Sequence, residues 1–128
     1  MNKKRVNDWL PKAKEALTTM EIAQNGEIDN AFRGQISSFG AAVIMGSLPA
    51  ATAFYASQGE SAVDRQKLLQ AMYYLISGKE ETDCAKILEY VCDHDSSELK
   101  ELFADASIAL KLAMNFFKRV QEDRSCGI

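Results

Sequence analysis

The chain has 128 residues, of which 26% are charged and 47% hydrophobic, and it carries a net charge of −3. That length suits one domain with its own core. The composition excludes a disordered or low-complexity chain, and the negative balance excludes a globally basic nucleic-acid binder. The charge is nonetheless polarised: residues 1–14 are net +4, residues 60–105 net −6 and residues 111–124 net +2. Three cysteines (Cys84, Cys92 and Cys126) cannot all pair within one chain and suit a reducing compartment. The basic start "MNKKRVNDWLPKAK" is followed by no apolar run of signal-peptide length. A cytoplasmic location is the expectation.

Helical spacing recurs along the whole chain, and no stretch alternates as a strand does. A first helix is expected from about Val6 to Ala23, with Pro11 near its start and Asn25-Gly26 ending it. If the helix begins earlier, Pro11 kinks it. From Gly34 to Gly59 the chain then runs for 26 residues without a charge, a length that could span a bilayer. Within this run and just before it, Phe32, Ile36, Phe39 and Val43 form one helical stripe that Asp29 can cap. Gly46-Ser47-Leu48-Pro49 then breaks the run and starts a second short helix capped by Ser47 and carrying Phe54 and Tyr55. Two helices with a break between them argue for a buried core, not a membrane span. Phe39 and Phe54 are expected inside it.

The next helices are expected at about Ser61–Ile76, closed by Ser77-Gly78, and at about Thr82–Cys92. In the first of these Val63, Leu68, Leu69, Met72 and Leu75 turn inward; in the second Ile87, Leu88 and Val91 do so. Asp95 and Glu98 then read as a capping box for the longest helix. In that helix Leu99, Phe103, Ala106, Leu110, Ala113, Phe117 and Val120 recur with a period near 3.5 residues. A second stripe, Ile108, Leu112 and Phe116, runs beside it. The expected fold is all-α: one compact helical bundle over residues 1–128, with about five to six helices and a long C-terminal one.

Candidate chemistry is sparse. The one histidine, His94, sits in "CDHD", and Cys84, Cys92 and His94 match no usual zinc-ligand spacing. Asp93 and Asp95 suggest a cation site less simply than a solvated helix end. The phosphate-cradling, nucleophile-elbow and metalloprotease motifs do not occur. The expectation is a protein that is not an enzyme and uses no cofactor, metal or small-molecule substrate. Binding remains. Lys111 and Lys118, two helical turns apart on a continuous helix, would share a face with Arg119 close by. Lys3, Lys4 and Arg5 could join them as a stripe that tracks phosphates. The bland reading is that these are solvated surface charges.

Three stretches in order, "FGAAVIMGSLPAATAFYAS", "LLQAMYYLISG" and "LKLAMNFFKRV", together resemble the small helical subunit of type III-B CRISPR (Cmr) effector complexes. The likeness spans most of the chain and rests on the order and spacing of motifs that are each generic. The last helix departs from that family in lacking a Trp. The resemblance implies a non-catalytic building block that stacks with copies of itself as an inner filament. Backbone and large subunits would be its neighbours, and it would line the channel for target RNA. The residues expected to meet guide or target RNA are Arg33, Lys111, Lys118 and Arg119, with Lys3, Lys4 and Arg5 behind them. The alternative is a free-standing helical adaptor or regulator that binds only protein.

Overall fold

Each helix begins where a short polar side chain can satisfy a free backbone N–H. Asn2 accepts from Arg5 N at 3.0 Å and starts α1 (Lys3–Thr19). Asp29 accepts from Ala31 N at 2.9 Å ahead of α2 (Ala31–Met45). Ser47, Asp64, Asp83 and Ser96 cap α3 (Leu48–Ala56), α4 (Arg65–Ser77), α5 (Cys84–Asp93) and α6 (Ser97–Ala113). The computed structural model describes residues 1–57 and 64–120. Ser61, Val63 and Cys126 lie outside the described residues.

Several expected boundaries move. The first helix starts at Lys3, so Pro11 falls inside it. The carbonyl that loses its partner there is that of exposed Asn7, where water can replace it. The cap of α6 is Ser96 rather than Asp95, which leaves Glu98 as a first-turn acid beside the positive helix end and not as half of a capping box.

Asn25-Gly26 does not end a helix. Thr19 already ends α1, and Asn25 (φ 55°) and Gly26 (φ 77°) form the two-residue turn of a hairpin between β1 (Ala23–Gln24) and β2 (Glu27–Asp29). Left-handed φ at both central residues matches the twist of the paired strands, and Asn-Gly adopts it at little steric cost. A third strand, β3 (Lys118–Val120), pairs in parallel with β2, with Ile28 opposite Arg119. The helical bundle therefore carries one small sheet that local alternation did not announce.

The same sheet shortens the last helix. α6 stops at Ala113, Met114–Phe116 tighten into a 3₁₀ turn, and Phe117 is extended. Phe117 and Val120 keep their spacing on paper but leave the helix, because the open edge of β2 takes the chain instead. Lys118 N donates to Gly26 O at 2.9 Å and Asn30 N to Val120 O at 2.8 Å.

α6 is the hub, packed against α1, α2 and α4. Phe103, Ala106, Ala109, Leu110 and Ala113 are fully buried along it. Its alanines let neighbouring helices come close. At Gly40 of α2 an added methyl would sit 3.1 Å from Ser107 Oγ of α6, so the glycine sets that spacing. Phe39 stacks edge-on against Tyr55 at 5.0 Å and lies 6.3 Å from Phe103, joining α2, α3 and α6. Tyr55 donates its hydroxyl to Gln35 O at 2.7 Å, whereas the buried Thr52 hydroxyl has no partner among the described residues.

The described part of the uncharged run, with Phe32 just before it, is divided between core and surface. Phe32, Ile36, Phe39, Val43, Leu48 and Tyr55 are buried, but Phe54 is 59% exposed with the Arg65 guanidinium 4.4 Å above its ring. Ile44 and Met45 are also exposed. No helix among the described residues is long and apolar enough to cross a membrane.

The two phenylalanines should separate in thermal melts. Phe39→Ala should cost about 3–5 kcal/mol, as for a large ring deleted from a packed core. Phe54→Ala should cost about 1 kcal/mol or less, because it removes a surface cation–π contact and little buried area. Equal losses would contradict the burial described.

Candidate nucleic-acid interface

The directions of three helices decide where the cations go. Arg5 of α1 meets Asp105 of α6, and Lys14, further along α1, lies over Phe116 just past the end of α6. α1 and α6 therefore run parallel. Phe39 meets Phe103 while Arg33 meets Asn115, so α2 runs antiparallel to α6. The start of α2, the later half of α1 and the end of α6 consequently share one end of the bundle.

Four of the cations expected to bind RNA gather at that end, with Lys14 as a fifth. Arg33 donates from Nη1 to Asn115 Oδ1 at 3.0 Å. Lys111 lies one helical turn before Asn115 and is half-buried in the last turn of α6, where a cation also suits the helix dipole. Lys118 and Arg119 are exposed on β3. Lys118 does not share a helical face with Lys111, since the helix has ended between them; the sheet, not helical periodicity, places it. Lys14 Nζ lies 4.9 Å from the Phe116 ring centroid.

The amino-terminal cations lie elsewhere. Lys14 lies nine positions after Arg5 in α1, about 14 Å at 1.5 Å per residue. Lys3 and Lys4 are exposed in the first turn of α1. Arg5 is engaged: its Nη1 donates at 2.8 Å to Asp105 Oδ2, which also accepts from Asn2 N at 3.2 Å. The Asp105 side chain is 1% exposed. This ion pair holds the start of α1 against the middle of α6. Beside it an open cleft of about 330 Å³ is lined by Met1, Ile44, Ala104 and Ile108 together with the charged Lys100 and Glu101.

The residues weighed for metal or acid–base chemistry lie apart. Cys84 opens α5 and His94 follows its end, about 15 Å away by helical rise. The His94 ring stacks on Tyr90 at 4.4 Å, with Nδ1 2.9 Å from Tyr90 O. Among the described residues no three His, Cys, Asp or Glu side chains converge. Burial pushes the Cys84 thiol above its ordinary pKa, a rise opposed by the Gln70 amide at 3.8 Å and aided by Asp64, Asp83 and Glu81. Tyr55 is raised too, chiefly by burial and against the pull of Arg65.

Sequence reasoning passed over Lys14, Asn115 and Phe116 as members of this end. Lys14 was one charge among five in the amino-terminal cluster, and Phe116 belonged to an apolar stripe. Neither carries a local signal of its place, because the parallel packing of α1 on α6 brings them together. In comparison with known proteins, no family model, curated protein or solved structure matches the chain.

Two outcomes check this geometry. Arg5→Ala should destabilise the protein by about 3 kcal/mol in urea unfolding, because it strands a buried carboxylate. Lys3→Ala and Lys4→Ala should each stay within about 0.5 kcal/mol. Matching small losses for all three would mean that Asp105 is solvated.

Thiol labelling checks the other. In a Cys126→Ser background at neutral pH, iodoacetamide should modify exposed Cys92 well before Cys84, since the thiolate is the nucleophile. The folded state holds the Cys84 proton to higher pH than the unfolded chain does. Its contribution to stability is therefore full below the ordinary thiol range and is lost as pH rises through the raised value. Equal labelling rates in the native protein would contradict this burial.

Proposed function

We propose that this chain is a non-catalytic structural small subunit of a type III-B CRISPR RNA-guided effector ribonucleoprotein. It stacks with copies of itself as an inner filament, meets backbone and large subunits, and lines the target-RNA channel in a cytoplasmic antiviral complex. The observation that carries this reading is the gathering of Arg33, Lys14, Lys111, Lys118 and Arg119 at one end of the bundle. The ordered likeness of three sequence stretches to the Cmr small subunit supports it as well. Cations of this kind attract phosphates and carry no base code, which suits a subunit beside a guide that reads sequence by pairing. Each copy neutralises few phosphates, so affinity would come from repeated contacts along one strand.

A second reading is a helical adaptor that binds only protein. What favours it is apolar surface at the opposite end: Met45 is 87% exposed and Ile44 66% exposed beside the open cleft. The two readings differ over the basic end alone, since a stacked subunit also needs protein contacts.

Target affinity of assembled complexes, measured over several salt concentrations, tests the proposal. Changing Lys111, Lys118 and Arg119 together to Ala should weaken binding of every matched target. It should also flatten the log–log salt dependence by roughly 0.7 per lost single-strand contact. Discrimination against mismatched targets should persist. An unchanged slope, or failure of the chain to co-purify with the other subunits, would leave the adaptor reading standing.

A further inference from the structure

Phe116 is an exposed aromatic side chain beside the gathered cations. It is 57% exposed, and Lys14 Nζ lies 4.9 Å from its ring centroid. Its backbone is held on both sides. Buried Met114 anchors the 3₁₀ turn, Phe117 N donates to Met114 O at 3.2 Å, and Arg33 binds the adjacent Asn115 side chain. β3 follows and ties the chain to β2. The ring is thus presented on a braced turn, not on a loose loop.

An isolated exposed apolar side chain needs no explanation. This one differs in its surroundings. Arg33 binds the adjacent Asn115, Lys111 lies in the last turn of the helix that precedes it, Lys118 (with Glu27 opposite it on β2) and Arg119 follow it within three residues, and Lys14 lies over its ring. A partner's apolar core would have to desolvate that set of charges, which is costly without matching acids. A single nucleic-acid strand meets both features at once: its phosphates take the cations and the flat face of a base takes the ring.

We infer that Phe116 is a base-stacking platform for single-stranded RNA, with Lys14 and the surrounding cations holding the phosphates on either side. The inference rests on the RNA-lining reading of this end and adds to it a non-electrostatic contact at one named residue. The bracing of the turn means that little conformational freedom is lost when a base arrives.

The test uses the full chain and a fluorescent single-stranded oligoadenylate, with affinity measured by anisotropy from low to moderate salt. Phe116→Leu should weaken binding about five- to a hundredfold, the span associated with loss of one base–aromatic stack. It should leave the salt slope unchanged, because no phosphate contact is lost. Phe116→Tyr should restore binding. The Lys111, Lys118 and Arg119 triple change should instead flatten the slope, so the two failures are distinguishable. Native affinity in Phe116→Leu alongside a flattened slope in the triple variant would overturn the stacking role alone. No binding by the native chain at low salt, up to millimolar RNA, would overturn it together with the RNA reading. Sedimentation of the same variants covers the remaining case. If Phe116→Leu abolishes self-association and leaves RNA affinity intact, the ring is a protein contact and the inference fails.

Discussion

The close burial of α6 against three neighbours is the constraint on which the rest of the structure depends. A helix can be covered on several sides only if its side chains are short where other backbones approach. The alternation of Phe103 and Leu110 with Ala106, Ala109 and Ala113 meets that condition. The glycine of α2 that faces Ser107 allows the α2 approach in particular. With α6 fixed, α1 can lie parallel to it and α2 antiparallel. Those two directions bring residues distant in sequence to a common end.

Charge refines what packing begins. Asp105 is the only buried carboxylate among the described residues, and it pairs with Arg5 and with the backbone N–H of Asn2. Buried pairs of this kind rarely add much net stability over an apolar alternative, but breaking one is costly. Its effect is positional: α1 cannot slide along α6 without uncovering the carboxylate. The same register sets Lys14 over Phe116. A structural ion pair near one end of α1 thereby fixes a surface contact at the other.

The small sheet brings Lys118 and Arg119 to this end, with Glu27 opposite Lys118. β2 would leave an unpaired edge beside the start of α2, and β3 fills it with the three residues after Phe117. Lys118 and Arg119 are therefore held on an extended strand beside the start of α2, with their side chains on opposite faces of it. Had the helix continued, Lys118 would have stood two turns beyond Lys111 and about 10 Å further along the axis.

The helical class of this protein, five of its six helix starts to within three residues, and most of its buried stripe were legible in order along the chain. Caps, glycine stops and 3.6-residue spacing are local, and each is set by a few neighbouring residues. Asn25-Gly26 was legible as punctuation, though its hairpin meaning needed partners on both sides that alternate too briefly to read as strands. The end of α6 was not legible, because Phe117 and Val120 keep a helical period and only the open edge of β2 draws them out. Phe54 was misplaced for a similar reason. Its spacing suits a core residue, and whether a neighbour covers it is settled by the angle at which α3 packs. The residues of the candidate site were mostly visible as charges, but their grouping was not. Local pattern was enough for most helix starts and for most of the buried faces. That Lys14, Arg33, Lys111, Phe116 and Lys118 share one end depends on helix direction and on strand pairing across some 90 residues, which no local pattern encodes.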